Sequence, residues 1–188
     1  MNEEFKRDLF LDRKFDANSF DIGNVKINSS VQDIDTTEIT DIFVNYSGYQ
    51  NLNFTERLKL LKDNSGWIHY ATGAAFQIEN GIVKQIKLST LYLLDNNISK
   101  SDLINIFGIP DIELVDDICH SVIANIDAYI LVFRQKKIYA FIDPNTEILK
   151  ELHFGSLDEK IYSQKIESEI HKEKFKSKRN WWGKLFGF

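Results

Sequence analysis

The chain has 188 residues, is 43% hydrophobic and 27% charged, and carries a formal net charge of −5 at neutral pH. Such a length and composition allow a sizeable buried core and exclude disorder over the whole chain. The acidic balance opposes nonspecific attraction to a phosphate backbone, so nucleic acid is not an expected partner.

The amino terminus, Met1-Asn2-Glu3-Glu4-Phe5-Lys6-Arg7-Asp8, has acids where a secretion signal needs cations, and lacks the apolar stretch that should follow. No window approaches the roughly 18 consecutive apolar residues of a membrane-spanning helix. Cys119 is the only cysteine, which excludes an intramolecular disulfide. These features lead us to expect a cytoplasmic protein. With two prolines and nine glycines, no flexible linker divides the chain. Composition changes near residue 156. The expected parts are an N-terminal extension (1–19), a first unit (20–94), a second unit (95–155) and a charged helix with an aromatic-basic tail (156–188).

In chain order, Ile39, Ile42, Phe43 and Tyr46 have helical spacing. Asn53 with Glu56 forms a capping box that opens a helix whose face carries Phe54, Leu58 and Leu61. Trp67-Ile68-His69-Tyr70 reads as a strand that turns through Ala71-Thr72-Gly73 into Ala74–Ile78. Glu79-Asn80-Gly81 then supplies the positive-φ residues of a tight hairpin leading into Ile82–Ser89. Ser99 caps a second helix, with Asp102 near its third position, Leu103, Ile106 and Phe107 on its apolar face, and Gly108 and Pro110 at its end. Ile112, Val115, Cys119, Val122 and Ile126 recur at intervals of three and four and predict a further helix, although their β-branched content leaves a strand open. Tyr129–Phe133, the turn Arg134-Gln135-Lys136-Lys137, Ile138–Ile142, the turn Asp143-Pro144-Asn145-Thr146 and Ile148–Gly155 complete a second meander.

The two meanders correspond. Ile82-Val83-Lys84-Gln85-Ile86-Lys87-Leu88-Ser89 aligns with Ile148-Leu149-Lys150-Glu151-Leu152-His153-Phe154-Gly155, with a lysine at the same place in each, and Phe76 and Asn80 align with Phe141 and Asn145. The expected fold class is α+β: two degenerate repeats, each of helices followed by an antiparallel meander, with an appended C-terminal helix.

Leu103-Ile104-Asn105-Ile106-Phe107-Gly108-Ile109-Pro110, followed by a meander with a Phe-x-x-x-Asn turn, resembles the repeat of β-lactamase-inhibitor-protein-like domains and of the small lipoprotein of the outer-membrane assembly machine. The resemblance covers residues 25–155. The first unit has the hairpin without the Phe-Gly-x-Pro, and the absence of a signal peptide and lipidation cysteine speaks against an outer-membrane lipoprotein. The resemblance implies a binding scaffold whose tandem sheet offers a surface to another protein.

Catalytic patterns are not found. His69, His120, His153 and His171 lack the close pairings of zinc sites, and Cys119-His120 has no further ligands nearby. Cys119 lies on an apolar stripe, as a small core residue does. Asp116-Asp117 and Asp158-Glu159 are adjacent rather than convergent, and neither a phosphate-binding glycine loop nor a Gly-x-Ser-x-Gly elbow occurs. No cofactor or metal is expected.

Alternation therefore directs attention to a surface. Ile82, Ile86 and Leu88 share one face with Ile148, Leu152 and Phe154, while Gln85, Lys87, Glu151 and His153 share the other, expected to be wet or covered by a partner. Trp67 and His69 also share a face, giving Trp67, His69, Gln85, Lys87, Glu151 and His153 as the candidate partner-binding set. Lys84 and Lys150, nominally on the apolar face, are expected to snorkel from the sheet edge.

In the tail, Ser156-Leu157-Asp158-Glu159 has capping-box spacing, and Ile161, Ile166 and Ile170 form an irregular stripe. After Glu173 come five cations, no acid and six large apolar residues. Lys178, Arg179, Trp181, Trp182, Lys184 and Phe186 are the candidate anchor, for an anionic membrane surface or a partner's groove, unless Trp181, Trp182 and Phe186 fold back onto the chain's own sheet. The expected function is that of a non-catalytic protein-binding module, of the bacterial immunity or inhibitor type, that occludes a partner such as a basic toxin. The alternatives are a peripheral adaptor held at the inner face of the membrane by its tail, and an enzyme of unrecognised type.

Overall fold

The computed structural model describes residues 16–89, 93, 97–116 and 128–155, with only the backbone described for Leu114, Val115, Asp116 and Ala128. The described residues fall in one compact unit, residues 1–156. The C-terminal helix and tail, the first part of the N-terminal extension, and Cys119, Val122 and Ile126 lie outside them.

The fold is mixed α+β and mostly sheet. Eight antiparallel strands form one sheet in the order β1-β2-β3-β4-β8-β7-β6-β5. One meander consists of β1 (Ile39–Val44), β2 (Ser65–Tyr70), β3 (Ala74–Glu79) and β4 (Ile82–Leu88). The other consists of β5 (Ile112–Asp116), β6 (Ala128–Phe133), β7 (Ile138–Ile142) and β8 (Leu149–Gly155). They meet where β4 pairs with β8.

The described α-helices are α1 (Phe54–Leu60) and α2 (Lys100–Phe107); both begin at the cap residues read from the sequence, Asn53 and Ser99, and both caps are capping boxes. In α2, the Asp102 N–H donates to Ser99 Oγ at 3.2 Å and the Ser99 N–H to Asp102 Oδ2 at 2.9 Å. Two otherwise orphaned donors of the first turn are thereby satisfied. Gly108 ends α2 at φ 90°, and Leu103, Ile106 and Phe107 are buried as expected.

Two segments with helical spacing are strands instead. Ile39–Val44 is β1, with Ile42 and Val44 buried and Phe43 exposed between them. Its β-branched Ile39, Thr40, Ile42 and Val44 favour an extended backbone, and pairing with β2 decides the outcome over the three-four spacing. Ile112–Asp116 is β5, where the same β-branched content prevails.

The seam is centred on a register that the sequence alignment makes meaningful. Ile86 pairs with Phe154, Lys87 with His153, and Leu88 with Leu152. Lys87 and His153 hold the same place in the two aligned stretches, so the pairs that flank them, Ile86 with Phe154 and Leu88 with Leu152, exchange aligned positions. Both hairpins also bulge at the matching lysine. Gln77 faces Gln85 while Ile78 faces Val83, skipping Lys84; Phe141 faces Glu151 while Ile142 faces Leu149, skipping Lys150.

A bulge resets the side-chain alternation. Val83 and Leu149, rather than Ile82 and Ile148, therefore join the core, and the two lysines are the extra residues of bulges rather than members of the apolar face. Register also corrects the alignment of Phe76 with Phe141. Phe76 pairs with Ile86, and its counterpart opposite Leu152 is Ala140; Phe141 is displaced by one residue and so lies on the other face.

A further correspondence escaped the sequence reading. Ser30 and Asp33 form a capping box that opens a 3-10 turn (Val31–Asp33), and Ser30 bridges Ile82 just as Ser99 bridges Ile148.

The core lies on the sheet face that carries Ile68, Phe76, Ile86, Leu152 and Phe154, all fully buried. Against it pack Phe20, Val25 and Val31 from the amino-terminal segment, Leu61 at the end of α1, and Leu103 and Ile106 of α2. Phe20 meets Phe154 edge to face at 4.9 Å. Among the described residues no helix is long and apolar enough to cross a membrane.

Candidate functional site

On the second sheet face, the expectation of a wet surface fails at the seam. Gln85, Lys87, Glu151 and His153 are only 3%, 9%, 0% and 1% exposed. Alternation correctly placed them on one face; it carries no information about whether that face is covered. They cannot offer a surface from this conformation.

What they form is a buried polar row crossing from one meander to the other. His153 Nε2 donates to the Glu151 carboxylate, and the His153 ring lies 4.4 Å from that of Phe141. Across the seam, Lys87 pairs with His153, and its ammonium stands 4.0 Å over the Trp67 ring. A desolvated cation on an indole face is favourable by about 2 kcal/mol. Among the described residues, the side-chain nitrogen of Gln85 has no hydrogen-bond partner, although it is buried.

Trp67 and His69 are half-buried, on a strand that links this row to the sheet edge. Trp67 pairs with Phe43 of β1, and His69 with Asp41. Burial lowers the pKa of His69; the Asp41 carboxylate opposes that shift and the Lys87 cation adds to it.

Beyond Trp67 the surface becomes aromatic. Phe43 is 41% exposed, Tyr46 53% and Phe54 38%. Phe43 meets Tyr49 edge to face at 5.1 Å, and the Arg57 guanidinium lies 5.3 Å from the Tyr49 ring. Arg57 is held by the carbonyls of Leu52 and Gln50, each at 3.0 Å. Helical spacing alone puts Phe43, Tyr46 and Phe54 on apolar helix faces, which is why the sequence does not reveal this aromatic shoulder. The extended propensity of Ile39–Val44 was the signal that would have placed Phe43 outside the core.

The same shoulder protects a sheet edge. Among the described strands β1 is terminal, and the outward N–H of Ile42 donates to Asp41 Oδ1 at 2.8 Å. Arg57 Nη1 reaches the Ile42 carbonyl at 3.4 Å and stands 3.6 Å from Asp41. Thr40 is the extra residue of a bulge, another device that interrupts edge pairing. Gly66 of β2 permits the close approach: a Cβ there would collide with the Phe43 carbonyl and with Leu61.

Among the described residues, no group of three or more His, Cys, Asp or Glu side chains could hold a metal ion. The candidate anchor residues Lys178, Arg179, Trp181, Trp182, Lys184 and Phe186 lie outside the described residues. No family model, curated protein or solved structure matches the chain.

Proposed function

We propose that this chain is a non-catalytic protein-binding module of the inhibitor or immunity type, which silences a partner protein by covering it. The observation that carries this reading is the aromatic shoulder. Of the large hydrophobic side chains exposed among the described residues, three (Phe43, Tyr46 and Phe54) come from β1, the start of α1 and the segment between them, with Arg57 one turn further along α1, and only Ile109 lies elsewhere. Aromatic residues interleaved with arginine are the side chains that dominate binding energy at protein interfaces. Trp67 and His69 continue the shoulder inward, where Lys87 stacks on Trp67 and lies buried at the seam with Gln85, Glu151 and His153.

The net charge of −5 favours a basic partner, by steering its approach. The scaffold reading also draws support from the internal correspondence. The shared bulges at Lys84 and Lys150, the bridges of Ser30 and Ser99, and the register centred on Lys87 and His153 are those of two copies of one unit. Tandem copies make a broad, stiff sheet, which is the kind of support an occluding surface requires.

The test uses the full-length chain as bait in its native cell, beside a Phe43→Ser/Tyr46→Ser/Phe54→Ser variant. Expected is a partner retained by the parent and lost by the variant, whose melting temperature stays close to the parent's. Purified parent should then suppress the partner's activity stoichiometrically. A partner captured equally by both proteins would overturn the shoulder. Retention of anionic vesicles alone, abolished by deleting residues 174–188, would establish the adaptor reading instead.

A further inference from the structure

A second surface lies toward the other edge of the sheet, where the α2–β5 connection meets the β6–β7 turn. Phe107, Ile109, Asp111, Phe133, Gln135 and Lys136 line a cleft of about 160 Å³. Pockets for drug-sized molecules run to about 300–1,000 Å³, so this one admits a single side chain. Two aromatic rings underlie it, Phe107 and Phe133, nearly buried and meeting edge to face at 5.3 Å, while most of the surface open to the cleft is polar. Ile109 stands on its rim at 89% exposure, in the short loop between Gly108 and Pro110.

The turn above the floor is cationic, although the chain as a whole is acidic. Arg134, Lys136 and Lys137 are exposed, and none of them has an ion-pair partner among the described residues. Their backbone is held in place. The Arg134 N–H donates to Asp111 Oδ2 at 2.7 Å, and Lys137 closes the turn in the left-handed region at φ 53°. The Lys136 ammonium lies 5.6 Å from the Phe107 ring, at the mouth of the cleft. The acids nearby are already engaged: Asp111 by that backbone N–H, and Glu113 by Lys100 Nζ at 2.9 Å.

We propose that this cleft docks an acidic segment of a partner protein, one apolar side chain of which enters between Phe107 and Ile109 while flanking carboxylates pair with Arg134, Lys136 and Lys137. Charge complementarity identifies the occupant's chemistry, and the cleft's size limits its anchor to one residue. The exposed Ile109 beside the cations favours a peptide with an apolar residue over a lipid headgroup, which would engage the cations and leave Ile109 unused. The docking site is separate from the aromatic shoulder, so the failure of either leaves the other standing.

The probe is a short fluorescent peptide with one central leucine among aspartates and glutamates, titrated with the full-length chain and followed by anisotropy. A peptide with serine in place of leucine and vesicles of phosphatidylserine and phosphatidylcholine serve as comparisons. The leucine peptide should bind, with an affinity that falls as salt rises. Lys136→Glu/Lys137→Glu should weaken it about tenfold or more, and Ile109→Ser should remove the preference for leucine over serine. All three positions are exposed, so both variants should keep the parent's melting temperature. Absence of binding, equal binding of the two peptides, or insensitivity to both variants would overturn the proposal. Vesicle binding lost with the same lysines, in the absence of peptide binding, would replace it with a lipid surface.

Discussion

The seam and the shoulder of this sheet reverse the usual distribution of side chains. At the seam, a lysine, a glutamate, a histidine and a glutamine are buried; at the shoulder, two phenylalanines and a tyrosine are exposed. The difference shows that polarity along a strand reports which residues share a face, while coverage by the rest of the chain decides what each face meets. It also separates two roles. Buried polar groups joined to one another specify how two meanders fit together, whereas exposed aromatics add little to folding and are available to a partner.

Breaking the seam should give the largest effect. Glu151→Ala removes an acceptor of the fully buried His153, and a buried polar group that loses its partner costs about 1–3 kcal/mol. Urea denaturation should show that loss, and Glu151→Leu/His153→Leu should recover much of it because both polar partners leave together. If Glu151→Ala is as stable as the parent, the row does not specify the seam.

Opening the edge should rank second. Arg57→Ala removes the group that covers the Ile42 carbonyl and braces the loop carbonyls of Gln50 and Leu52. Hydrogen bonds from a charged group contribute about 1.5–3 kcal/mol, discounted here because Arg57 is partly exposed. An uncovered edge strand invites pairing with another chain. Sedimentation velocity should show the variant forming larger species as concentration rises, beyond any association of the parent. Identical sedimentation of both proteins would remove the protective role of Arg57.

The smallest effect is in pH dependence. Burial lowers the pKa of His69 below the ordinary 6.5, so below pH 6.5 the unfolded chain binds more protons than the folded one. The His69 contribution to stability is therefore present above that pH and diminishes as pH falls through the window beneath it. His69→Asn should flatten this part of the stability profile. The carboxylates of Asp35 and Asp143, lowered from 3.8 by backbone N–H groups, act in a separate and more acidic window. Parallel profiles for parent and variant between pH 6.5 and 5 would refute the assignment.

Local signals in the sequence were legible wherever one residue type performs one task. Ser99 with Asp102, Asn53 with Glu56, and Asn80 with Gly81 announced two caps and a hairpin, and all three are present. The helical reading of Ile39–Tyr46 failed because spacing at three and four positions is compatible with a short strand when its pairing partner is distant in sequence. The burial of Glu151 and His153 was not legible at all, since no local feature of β8 states what covers it. Of the shoulder, only Trp67 and His69 were marked in advance, from their alternation. Phe43 awaited the register of β1 on β2.

The pairing of β4 with β8 has a consequence for how such a chain could be divided. Under the proposed repeat, each strand presents to the other nearly the edge that it receives: Ile86 meets Phe154 and Leu88 meets Leu152 across a midpoint at Lys87 and His153. The apolar positions of such a strand are complementary to themselves, and its central position is not. Severed between the meanders, the protein would yield fragments whose apolar edge residues could also meet a copy, but a copy would set Lys87 against Lys87 where the intact chain sets it against His153, so mixed pairs should outcompete homodimers. The connection between the halves thus contributes proximity, favouring union within one molecule over exchange between molecules.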